Sequence, residues 1–540
     1  MADYLKKIIL NSIQKILGET FSIEIKLEKP KIKEHGDLST NVALAIAKQL
    51  KKNPISIADQ IVQKIEIEKS IIEKIEIEKP GFINFFFSKN FYHNELKNIL
   101  SHGNDYGKNK FQNKTANVEF ISANPTGPLT VGHGRNAVIG DTVANILEWN
   151  GYKVTREYYF NDAGRQMKIL GESVRLRYLQ IGGEKIIFPD DYYQGNYIIE
   201  IAEKLKSEFG ENLKEEKIFK EKAETEIFSD IKKTCEKLNI SFDIFFNEHK
   251  LYKEGKTDEI INEFKKNGSA FEKDGALWLS SNILKSEKDK VIVKSSGEPT
   301  YRLPDIAYHR EKIRKNYDLI IDILGSDHIA TYPDVLAGLC ALGEKTNHIK
   351  VLIHQFVTIL QNGEIVKMST RKANFVTLDE LIDEVGSDVV RYFFLMRSIG
   401  SHLNFDLTLA KTQSDENPVY YLQYAHARIA SIIRFASEQG ISLNKDADIS
   451  VLDSESEINL IKLLTQFPIL LQNISINFEI HLLCEYLHNV AGEFHKFYHE
   501  NRVVTENENL TSARLLLCEA TKTVLGNGLK ILGISTPEKM

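Results

Sequence analysis

The sequence predicts a multidomain α/β protein in three parts. At about 150 residues per domain, a chain of 540 residues has room for about three or four domains. Residues 1–105 mix helix and strand patterns, residues 115–400 alternate buried strands with helices, and residues 415–540 are almost continuously helical in pattern. We therefore expect an N-terminal α+β module, a parallel-sheet core with a helical insertion at about 180–290, and a C-terminal all-α helical bundle.

The composition is that of a folded protein, with 42% hydrophobic and 27% charged residues. Lysine and arginine together number 69 against 75 aspartates and glutamates, so the net charge is -6. This sum excludes a uniformly basic coat for nucleic acid. Because electrostatic steering depends on the local distribution of charge, an acidic total can still contain a basic groove.

The cysteines and the amino terminus indicate a reducing compartment. Cys235, Cys340, Cys484 and Cys518 lie too far apart for a CxxC zinc or redox motif, and a disulfide scaffold is excluded. The opening MADYLKKIILNSIQKIL has helical spacing and lacks the apolar run and cleavage site of a signal peptide. No stretch approaches the roughly 20 apolar residues of a membrane span. We expect a cytoplasmic protein without membrane association.

In the N-terminal module, apolar residues at helical spacing predict a helix over 36–52, with Asp37 and Ser39 as capping side chains. Two copies of KIEIEK follow, at 64–69 and 74–79. Their strict Ile/Glu alternation predicts two strands, each with one wet face. A compact α+β module is the expected result.

The core opens with a strand, a glycine-bearing loop and a helix. The strand is predicted over 116–122, the loop over 123–130, and the helix ends at Gly151. This unit begins many nucleotide-binding α/β folds. Buried-strand patterns return in VIVKSSGEPTYRLPDIAYHREKI and YDLIIDILGSDH, after the insertion. We interpret the core as a parallel sheet that the helical insertion interrupts.

The loop contains the glycine spacing of a P-loop without its chemistry. Between Gly127 and Gly132 the spacing fits, but His133 and Gly134 stand where a lysine and a hydroxyl residue are required. A helix amino terminus still attracts anions, and His133, one turn in, is placed to donate to a phosphate oxygen. A capped helix with a surface histidine is an equally good interpretation.

Two longer segments resemble the arginyl-tRNA synthetases. Residues 118–167, which begin VEFISANPTGPLTVGHG, resemble their first signature block, with Thr130–His133 in place of the class I sequence His-Ile-Gly-His. Residues 366–398 resemble the second block, with Lys367–Arg371 in place of Lys-Met-Ser-Lys-Ser. Further similar stretches are EPTYRLPDIAYH at 298–309, NPVYYLQYAHARIASIIR at 417–434, and the two ends at 35–50 and 530–540.

The resemblance implies a Rossmann-type catalytic domain, an N-terminal domain for the tRNA elbow and a C-terminal anticodon-binding domain. It implies an enzyme that activates L-arginine with ATP and Mg²⁺ to arginyl-adenylate and pyrophosphate. The arginine then passes to the 3′-terminal adenosine of tRNA(Arg) for translation. The implied partners are tRNA(Arg), L-arginine and ATP, with no structural metal, in a monomer. A catalytically silent tRNA-binding paralogue and a synthetase for another amino acid are the alternatives.

The resemblance also implies residues that handle ATP. The implied catalytic set is Thr130, Gly132, His133, Lys367, Ser369 and Arg371, and the implied ATP-binding set is Pro125, Gly127, Gly132, His133, His328 and Met368. Thr130 replaces a class histidine, and a hydroxyl donates a hydrogen bond but carries no charge. Thr370 replaces the second class lysine, which makes Arg371 the candidate substitute. An isolated KMS would be only a solvated basic turn, and His328 fits equally well a loop that ends a strand.

The remaining implied residues bind arginine and tRNA. A guanidinium is planar and always charged, so its selection needs carboxylates placed for paired hydrogen bonds. The residues that match arginine-binding positions are Glu119, Ser122, Asn124, Tyr301 and Asp305, and those that match tRNA-binding positions are Phe82, Asn84, Tyr424, Tyr498 and Met540. Asp305 has an alternative interpretation as a helix cap, and Phe82 and Tyr424 as core aromatics. We expect a basic RNA track across the three domains.

Overall fold

The computed structural model describes residues 1–18, 20–30, 32–284, 287–366 and 377–540. The predicted loop residues Lys367, Met368, Ser369, Thr370 and Arg371 lie outside the described residues. The chain folds into two compact units. The first unit consists of residues 1–106, 428–467 and 492–524, and the second unit of residues 107–427, 468–491 and 525–540.

The N-terminal part of the first unit is a three-stranded antiparallel sheet, in the order β1-β3-β2, with helices beside it. The elements are α1 (Ala2–Leu17), β1 (Leu38–Thr40), α2 (Val42–Leu50), α3 (Pro54–Lys64), β2 (Ile72–Glu78), β3 (Phe82–Phe87) and α4 (Lys89–His102). Ile83, Phe85 and Phe87 alternate along β3 and are buried, so the central strand supplies much of this core. The α+β module predicted from the sequence is confirmed.

The predicted helix over 36–52 is wrong in its first part. Leu38–Thr40 form β1, because their backbone pairs with β3, and the helix begins only at Val42. Asp37 does not cap it: the carboxylate accepts from the backbone N–H of Phe87 at 2.8 Å and pairs with Lys462 at 3.0 Å. Ser39 lies within the β-ladder. The pairing of Leu38–Thr40 with β3 therefore outweighs the helical spacing of the apolar residues in this segment.

The duplicated KIEIEK motif gives one strand instead of two. Residues 74–78 of the second copy lie in β2, as predicted. Helix α3 has Asn53 as its capping residue and continues to Lys64, the first residue of the first copy. The backbone N–H of Ile65 then bonds the carbonyls of Ile61 and Val62 at the helix end. The alternation alone could not reveal which copy would find a partner strand.

The second unit is centred on a five-stranded parallel sheet in the order β11-β10-β4-β5-β6. The strands are β4 (Lys114–Glu119), β5 (Tyr152–Phe160), β6 (Ile244–Asn247), β10 (Leu319–Gly325) and β11 (Ile349–His354). Helix α5 (Val131–Trp149) follows β4, and Phe120 fills the space that Gly140 leaves on that helix, where an added Cβ would approach the ring to 2.2 Å. The predicted strand, loop and helix, with the helix ending beside Gly151, are confirmed.

The insertion is helical only in part. Helix α6 (Gly164–Ile181) leads into it, and its own helices are α7 (Asn196–Phe209), α8 (Glu216–Lys237), α9 (His249–Lys253), α10 (Lys256–Lys266) and α11 (Ser281–Leu284). The segment also contributes β6 to the parallel sheet and a three-stranded antiparallel sheet, formed by β7 (Ala270–Lys273), β8 (Ala276–Leu279) and β9 (Lys290–Val293). Asp274 and Gly275 join β7 to β8 with φ of 53° and 73°. This Asp-Gly pair is a sequence signal for a hairpin turn that the prediction of a helical insertion overlooked.

The remaining elements complete both units. They are α12 (Arg302–Arg314), α13 (Tyr332–Ala341), β12 (Val357–Gln361), β13 (Glu364–Ile365), α14 (Leu378–Val385), α15 (Ser387–Leu395), β14 (Leu403–Asp406), α16 (Leu407–Ala410), α17 (Pro418–Glu438), α18 (Glu455–Leu464), α19 (Phe467–Asn477), α20 (His481–Glu500) and α21 (Glu508–Leu532). The C-terminal region is helical, as predicted, and α17, α20 and α21 each contribute to both units. Among the described residues no helix is both long and apolar enough to span a membrane.

Candidate active site

The carboxyl ends of the parallel strands form one edge of the sheet in the second unit. At this edge β4 ends at Glu119, β10 ends at Gly325 and β11 ends at His354. In the sheet, β5 and β6 lie on one side of β4, and β10 and β11 lie on the other side. Ligands of open parallel sheets bind outside the carboxyl ends at such a switch point. Helix α5 follows β4 at this position and turns its amino terminus toward the same edge.

A row of three carboxylates crosses the sheet below this edge. Asp322 on β10 is in register with Glu119 on β4, and Glu119 is in register with Glu157 on β5. In-register residues of neighbouring parallel strands project from the same face. All three side chains are buried, with exposed fractions of 0%, 6% and 0%. Buried carboxylates in such a row need cations or hydrogen-bond donors.

Lys312 on helix α12 supplies the cation. Its Nζ donates to Glu119 Oε2 at 2.5 Å and to Asp322 Oδ1 at 2.7 Å, and the residue is completely buried. Although burial by itself favours the neutral amine, the carboxylates of Asp322 and Glu119 raise the pKa of Lys312 above its ordinary value. Lys312 and His309 hold the pKa of Asp322 below its ordinary value, against the effect of burial. Lys312 was not identified from the sequence, because lysines are usually exposed and nothing in its neighbours marks it.

His309 completes the contacts of Asp322. Its Nε2 lies 3.0 Å from Asp322 Oδ2, and its Nδ1 lies 2.8 Å from the carbonyl of Asp305. Burial lowers the pKa of His309, but Asp322 outweighs burial and raises it overall. Glu119, His309 and Asp322 bring ligand atoms within 4.8 Å of one another, as a metal site would. Since the ammonium of Lys312 already bonds both carboxylates, this cluster does not fit a resident divalent cation.

Asp305 lies one turn before His309 on α12. Tyr301, not Asp305, occupies the capping position of α12. The interpretation of Asp305 as the helix cap is therefore wrong. Burial raises the pKa of the Asp305 carboxyl to about 7. This raised value includes an opposing effect of His309 and smaller contributions from the carboxylates of Glu119, Glu248 and Asp322. No described residue donates a hydrogen bond to this carboxyl group, which leaves its oxygens available to a ligand. The side chain of Tyr301 is 77% exposed.

Glu248, which follows β6, is a second acidic residue that sequence reasoning missed. Its carboxylate accepts from the hydroxyl of Tyr159 at 2.5 Å and from that of Tyr252 at 2.9 Å. Burial raises the pKa of both tyrosines, and the nearby carboxylates, Asp305 among them, add to the rise. Asp305 therefore has carboxylates on several sides.

The backbone after β4 is held in an unusual conformation. Ile121 and Ser122 have φ of 64° and 47°, a region that β-branched and other non-glycine residues rarely adopt. Asn136 on α5 supports this turn, since its Oδ1 accepts from the N–H of Ile121 at 2.5 Å and its Nδ2 donates to the carbonyl of Ile323 at 2.8 Å. The role of Asn136 also escaped sequence reasoning, because it depends on partners from two other segments.

Ser122 and Asn124 are placed by local hydrogen bonds. Ser122 Oγ donates to Glu119 Oε1 at 2.8 Å and accepts from the N–H of Tyr159 at 3.2 Å. Asn124 Oδ1 accepts from the N–H of Asn161 at 3.0 Å. Three of the residues predicted for arginine thus lie on one continuous segment, and the hydrogen bonds of Ser122 and Asn124 join this segment to β5 and the residue after it.

The amino terminus of α5 presents a neutral imidazole. Thr130 is the capping residue, and the backbone N–H of Thr130 donates to His133 Nδ1 at 3.1 Å. In return, the N–H of His133 donates to Thr130 Oγ1 at 3.5 Å. Burial lowers the pKa of His133. Because Nδ1 accepts a hydrogen bond, the proton of the neutral ring belongs on Nε2, which becomes a donor.

The glycines near the start of α5 differ in how closely the surrounding residues would approach an added Cβ. An added Cβ at Gly134 would lie 2.4 Å from Leu378 Cδ1, so packing within the protein requires a glycine there. At Gly127 the added atom would lie 3.0 Å from the hydroxyl oxygen of Tyr197. At Gly132 it would lie 3.7 Å from Thr130 Oγ1, an ordinary van der Waals contact. Packing against the described residues therefore does not account for Gly132.

Other predicted ATP-binding residues lie on the same edge or beside the helix start. Pro125 is buried in the loop before α5. His328 follows β10 and is exposed, with its Nε2 3.6 Å from Asp327 Oδ2. His354, which was not predicted, lies with its Nε2 3.3 Å from Asn136 Nδ2. Burial lowers the pKa of His354 to about 4.

The second signature segment, residues 366–398, contacts the first segment at Thr377. Residues 367–376 lie outside the described residues, and description resumes at Thr377. Thr377 pairs with Thr130 in an antiparallel bridge, and the N–H of Leu378 donates to the carbonyl of Leu129 at 2.8 Å. The segment that carries the predicted lysine and arginine is therefore joined at this end to the capping residue of α5.

The residues predicted for tRNA are distributed over both units. In the first unit, Phe82 is partly buried on β3, and Asn84 is 3% exposed in the middle of that strand. Tyr498, also in the first unit, lines a cavity of about 470 Å³ together with Arg428 and Phe435. In the second unit, Tyr424 stacks on Tyr420 and the side chain of the terminal Met540 is exposed. Of these five residues, Asn84 offers the least surface to a partner.

The chain matches family models over most of its length. The arginyl tRNA synthetase N-terminal domain matches residues 3–87, the catalytic domain of class I (R) tRNA synthetases matches 95–391, and the DALR anticodon binding domain matches 422–540.

The chain is also similar to named relatives and to a solved structure. An arginine–tRNA ligase of Salinibacter ruber is 47% identical over 562 aligned residues, and one of Chlorobaculum tepidum is 48% identical over 553, with 100% of both chains covered in each case. The arginyl-tRNA synthetase structure of Thermus thermophilus has a TM-score of 0.78 at 21% identity and covers 100% of both chains, which shows a shared fold.

Proposed function

The chain belongs to the class I arginyl-tRNA synthetase family, and we propose that it is an arginine–tRNA ligase. It activates L-arginine with ATP to arginyl-adenylate and pyrophosphate, and then transfers arginine to the 3′-terminal adenosine of tRNA(Arg) for translation. The observation that carries this proposal is the group of carboxylates around Asp305, hereafter the acidic pocket, at the same sheet edge as the amino terminus of α5. One end of the site suits a guanidinium and the other suits a polyphosphate.

Arginine binds with its guanidinium group toward Asp305 and Glu119. The Asp305 carboxyl group has no described donor, and a guanidinium offers five N–H donors in a fixed plane. Tyr301, one turn earlier at the start of α12, covers the group from the exposed side. Ser122 and Asn124 hold the α-amino and carboxyl ends, and their contacts with β5 and Asn161 keep them in place.

The α-phosphate of ATP lies at the amino terminus of α5. Negative charge gathers there as the arginine carboxylate attacks and pyrophosphate leaves, and preorganised donors stabilise this charge. His133 donates from Nε2, because its Nδ1 is occupied by the N–H of Thr130. Gly132 lets ATP approach closely, which accounts for a glycine that packing against the described residues does not require. Thr130 supports the site mainly as the cap that orients His133.

The second signature segment supplies the cations for pyrophosphate. Lys367, Ser369 and Arg371 bind the leaving group, with Arg371 in place of the class lysine that Thr370 replaces. Met368 contacts the adenosine. The bridge between Thr377 and Thr130 supports this assignment, because it joins the end of the segment to the helix that receives the phosphates.

The rest of ATP lies against Pro125, Gly127 and His328. Mg²⁺ arrives with ATP as part of the substrate, since phosphate oxygens and water supply most of its ligands. The buried cluster of Glu119, His309 and Asp322 takes no part in binding it, because Lys312 occupies that place.

The tRNA contacts Phe82 and Asn84 in the N-terminal module and Tyr424, Tyr498 and Met540 in the helical region. Tyr498 has the strongest support. Its ring lies under the guanidinium of Arg428 at 4.6 Å and borders a cavity of about 470 Å³. An aromatic ring beside a cation and an open cavity suits an unpaired base. We further propose the three domains 1–105, 115–400 and 415–540, a monomeric state and a cytoplasmic location.

An arginine-dependent ATP–pyrophosphate exchange assay tests the function, run with and without tRNA(Arg). We expect exchange with arginine and no exchange with lysine or another amino acid when tRNA(Arg) is present. Absence of exchange under this condition, with RNA binding retained, would instead identify a silent tRNA-binding protein. Exchange with a different amino acid would assign the pocket to that substrate.

A further inference from the structure

We propose that Lys312 is a positioning residue for arginine: its buried ammonium holds the Glu119 carboxylate in the orientation that receives the guanidinium. This inference rests on the proposed function and extends it to a residue that does not touch the substrate. It concerns the layer beneath the pocket, where α12 packs on the sheet.

The position of Lys312 follows from the register of the sheet. Asp322, Glu119 and Glu157 lie side by side on three neighbouring strands, at spacings of about 4.8 Å. Lys312 Nζ lies between the first two, at 2.7 Å and 2.5 Å from their oxygens. The same ammonium lies 4.4 Å from the ring centroid of Tyr308, so a ring face covers it as well. A fully buried lysine with these partners has little freedom to move.

The contacts of Glu119 show what this arrangement achieves. Lys312 donates to Oε2 and Ser122 donates to Oε1, so each oxygen has one fixed partner and the carboxylate plane is set. A carboxylate oxygen accepts more than one hydrogen bond. The remaining lone pairs can therefore receive the N–H groups of a guanidinium in a defined direction.

His309 does not replace Lys312 in this role. Its Nε2 bonds Asp322 and leaves Glu119 without a cation if Lys312 is removed. Without the ammonium, two in-register carboxylates repel each other, and Glu119 turns away from the position that its two donors define. The loss then falls on arginine binding, whereas the helix start that receives ATP is built from other residues.

The test compares Lys312→Met with Lys312→Arg and with the control Lys315→Met. Lys315 directly follows the same helix but is partly exposed, and its Nζ is 3.7 Å from Glu157. With tRNA(Arg) present, we expect Lys312→Met to raise KM for arginine at least about tenfold, the effect of losing one hydrogen bond to a charged group. KM for ATP and kcat should change much less. Lys312→Arg should return KM for arginine toward the wild-type value, and Lys315→Met should leave it unchanged.

A second variant and melting curves distinguish a loss of folding from a loss of arginine binding. Lys312→Met combined with Asp322→Asn removes one buried negative charge together with the positive one, so it leaves less unpaired charge. If Lys312→Met does not fold, the same rise in KM for arginine is expected in the double variant. An unchanged KM for arginine in whichever variant is folded would overturn the inference, as would an equal loss for ATP. Failure of the wild-type protein to exchange with arginine would instead contradict the proposed function.

Discussion

The two ends of the candidate site differ in the charged groups that they contain. Under α12, three carboxylates lie in a row and one buried lysine compensates them in part. At the start of α5, the groups are backbone N–H donors and His133, whose pKa burial lowers. Arginine and ATP must bind side by side, so that the arginine carboxylate reaches the α-phosphate while the guanidinium lies at the other end of the site. Among the described residues, charge is concentrated at the guanidinium end, while the start of α5 offers dipoles and neutral donors to the α-phosphate. The cations proposed for pyrophosphate belong to the second signature segment, outside the described residues.

The largest expected effect is at the phosphate end. His133→Ala removes a donor aimed at charge that develops during activation, and we expect kcat for exchange to fall about 10²-fold to 10³-fold. KM for arginine should change little, because His133 lies away from the acidic pocket. His328→Ala, an exposed histidine near the same edge, is the matched control and should have a smaller effect. A rise in KM for arginine in His133→Ala without loss of kcat would contradict the assignment of His133 to the phosphate end.

The next effect is at the guanidinium end. Asp305→Asn keeps the shape of the side chain but removes its charge, and we expect KM for arginine to rise about tenfold to a hundredfold. The melting temperature should not fall, since no described hydrogen bond to this carboxyl group is lost. If KM for arginine stayed constant while kcat fell, Asp305 would belong to the phosphate end instead.

The pH dependence of arginine binding follows from the raised pKa of Asp305, about 7. Below this pH the free protein carries a neutral carboxyl group, whereas the guanidinium favours the ionised form. Arginine must then displace a proton, so KM for arginine should rise as pH falls from 8 to 6, by up to about tenfold per unit below the pKa. The groups that face Asp305 are His309, Glu119, Glu248, Asp322, Tyr159 and Tyr252.

The measurement is KM for arginine against pH in the wild type and in Asp305→Asn. The variant should show a flatter profile over the same range, and KM for ATP should not follow the wild-type arginine profile. A profile that is equally steep in both proteins would assign the titration to another group of the pocket.

The smallest expected effect comes from one methyl group at the helix start. Gly132→Ala fits the protein at an ordinary contact distance, so we expect an unchanged melting temperature and a rise in KM for ATP of about tenfold or less. Gly134→Ala is the contrasting variant, because its Cβ would overlap Leu378, and it should lower the melting temperature. Wild-type KM for ATP in Gly132→Ala would show that ATP does not approach this position closely.

Local patterns predicted those parts of the fold whose partners lie nearby in sequence. The strand, loop and helix from 114 to 149 were found because buried strand and helix periods are strong there. The first part of the predicted helix over 36–52 and the first KIEIEK strand were wrong, since strand pairing with β3 decided both. The Asp274-Gly275 turn had a sequence signal that a helical interpretation of the insertion passed over.

The sequence by itself determined the family and the order of the matched regions, because signature motifs are contiguous stretches whose residue types carry the chemistry. It also predicted which segments bind arginine, ATP and tRNA. Only the tertiary structure decided that Lys312 lies between Glu119 and Asp322, that Asn136 supports Ile121, and that Thr377 meets Thr130. Lys312 and Glu119 are 193 positions apart. A contact of that kind depends on strand register and helix packing, which no local pattern of residues records.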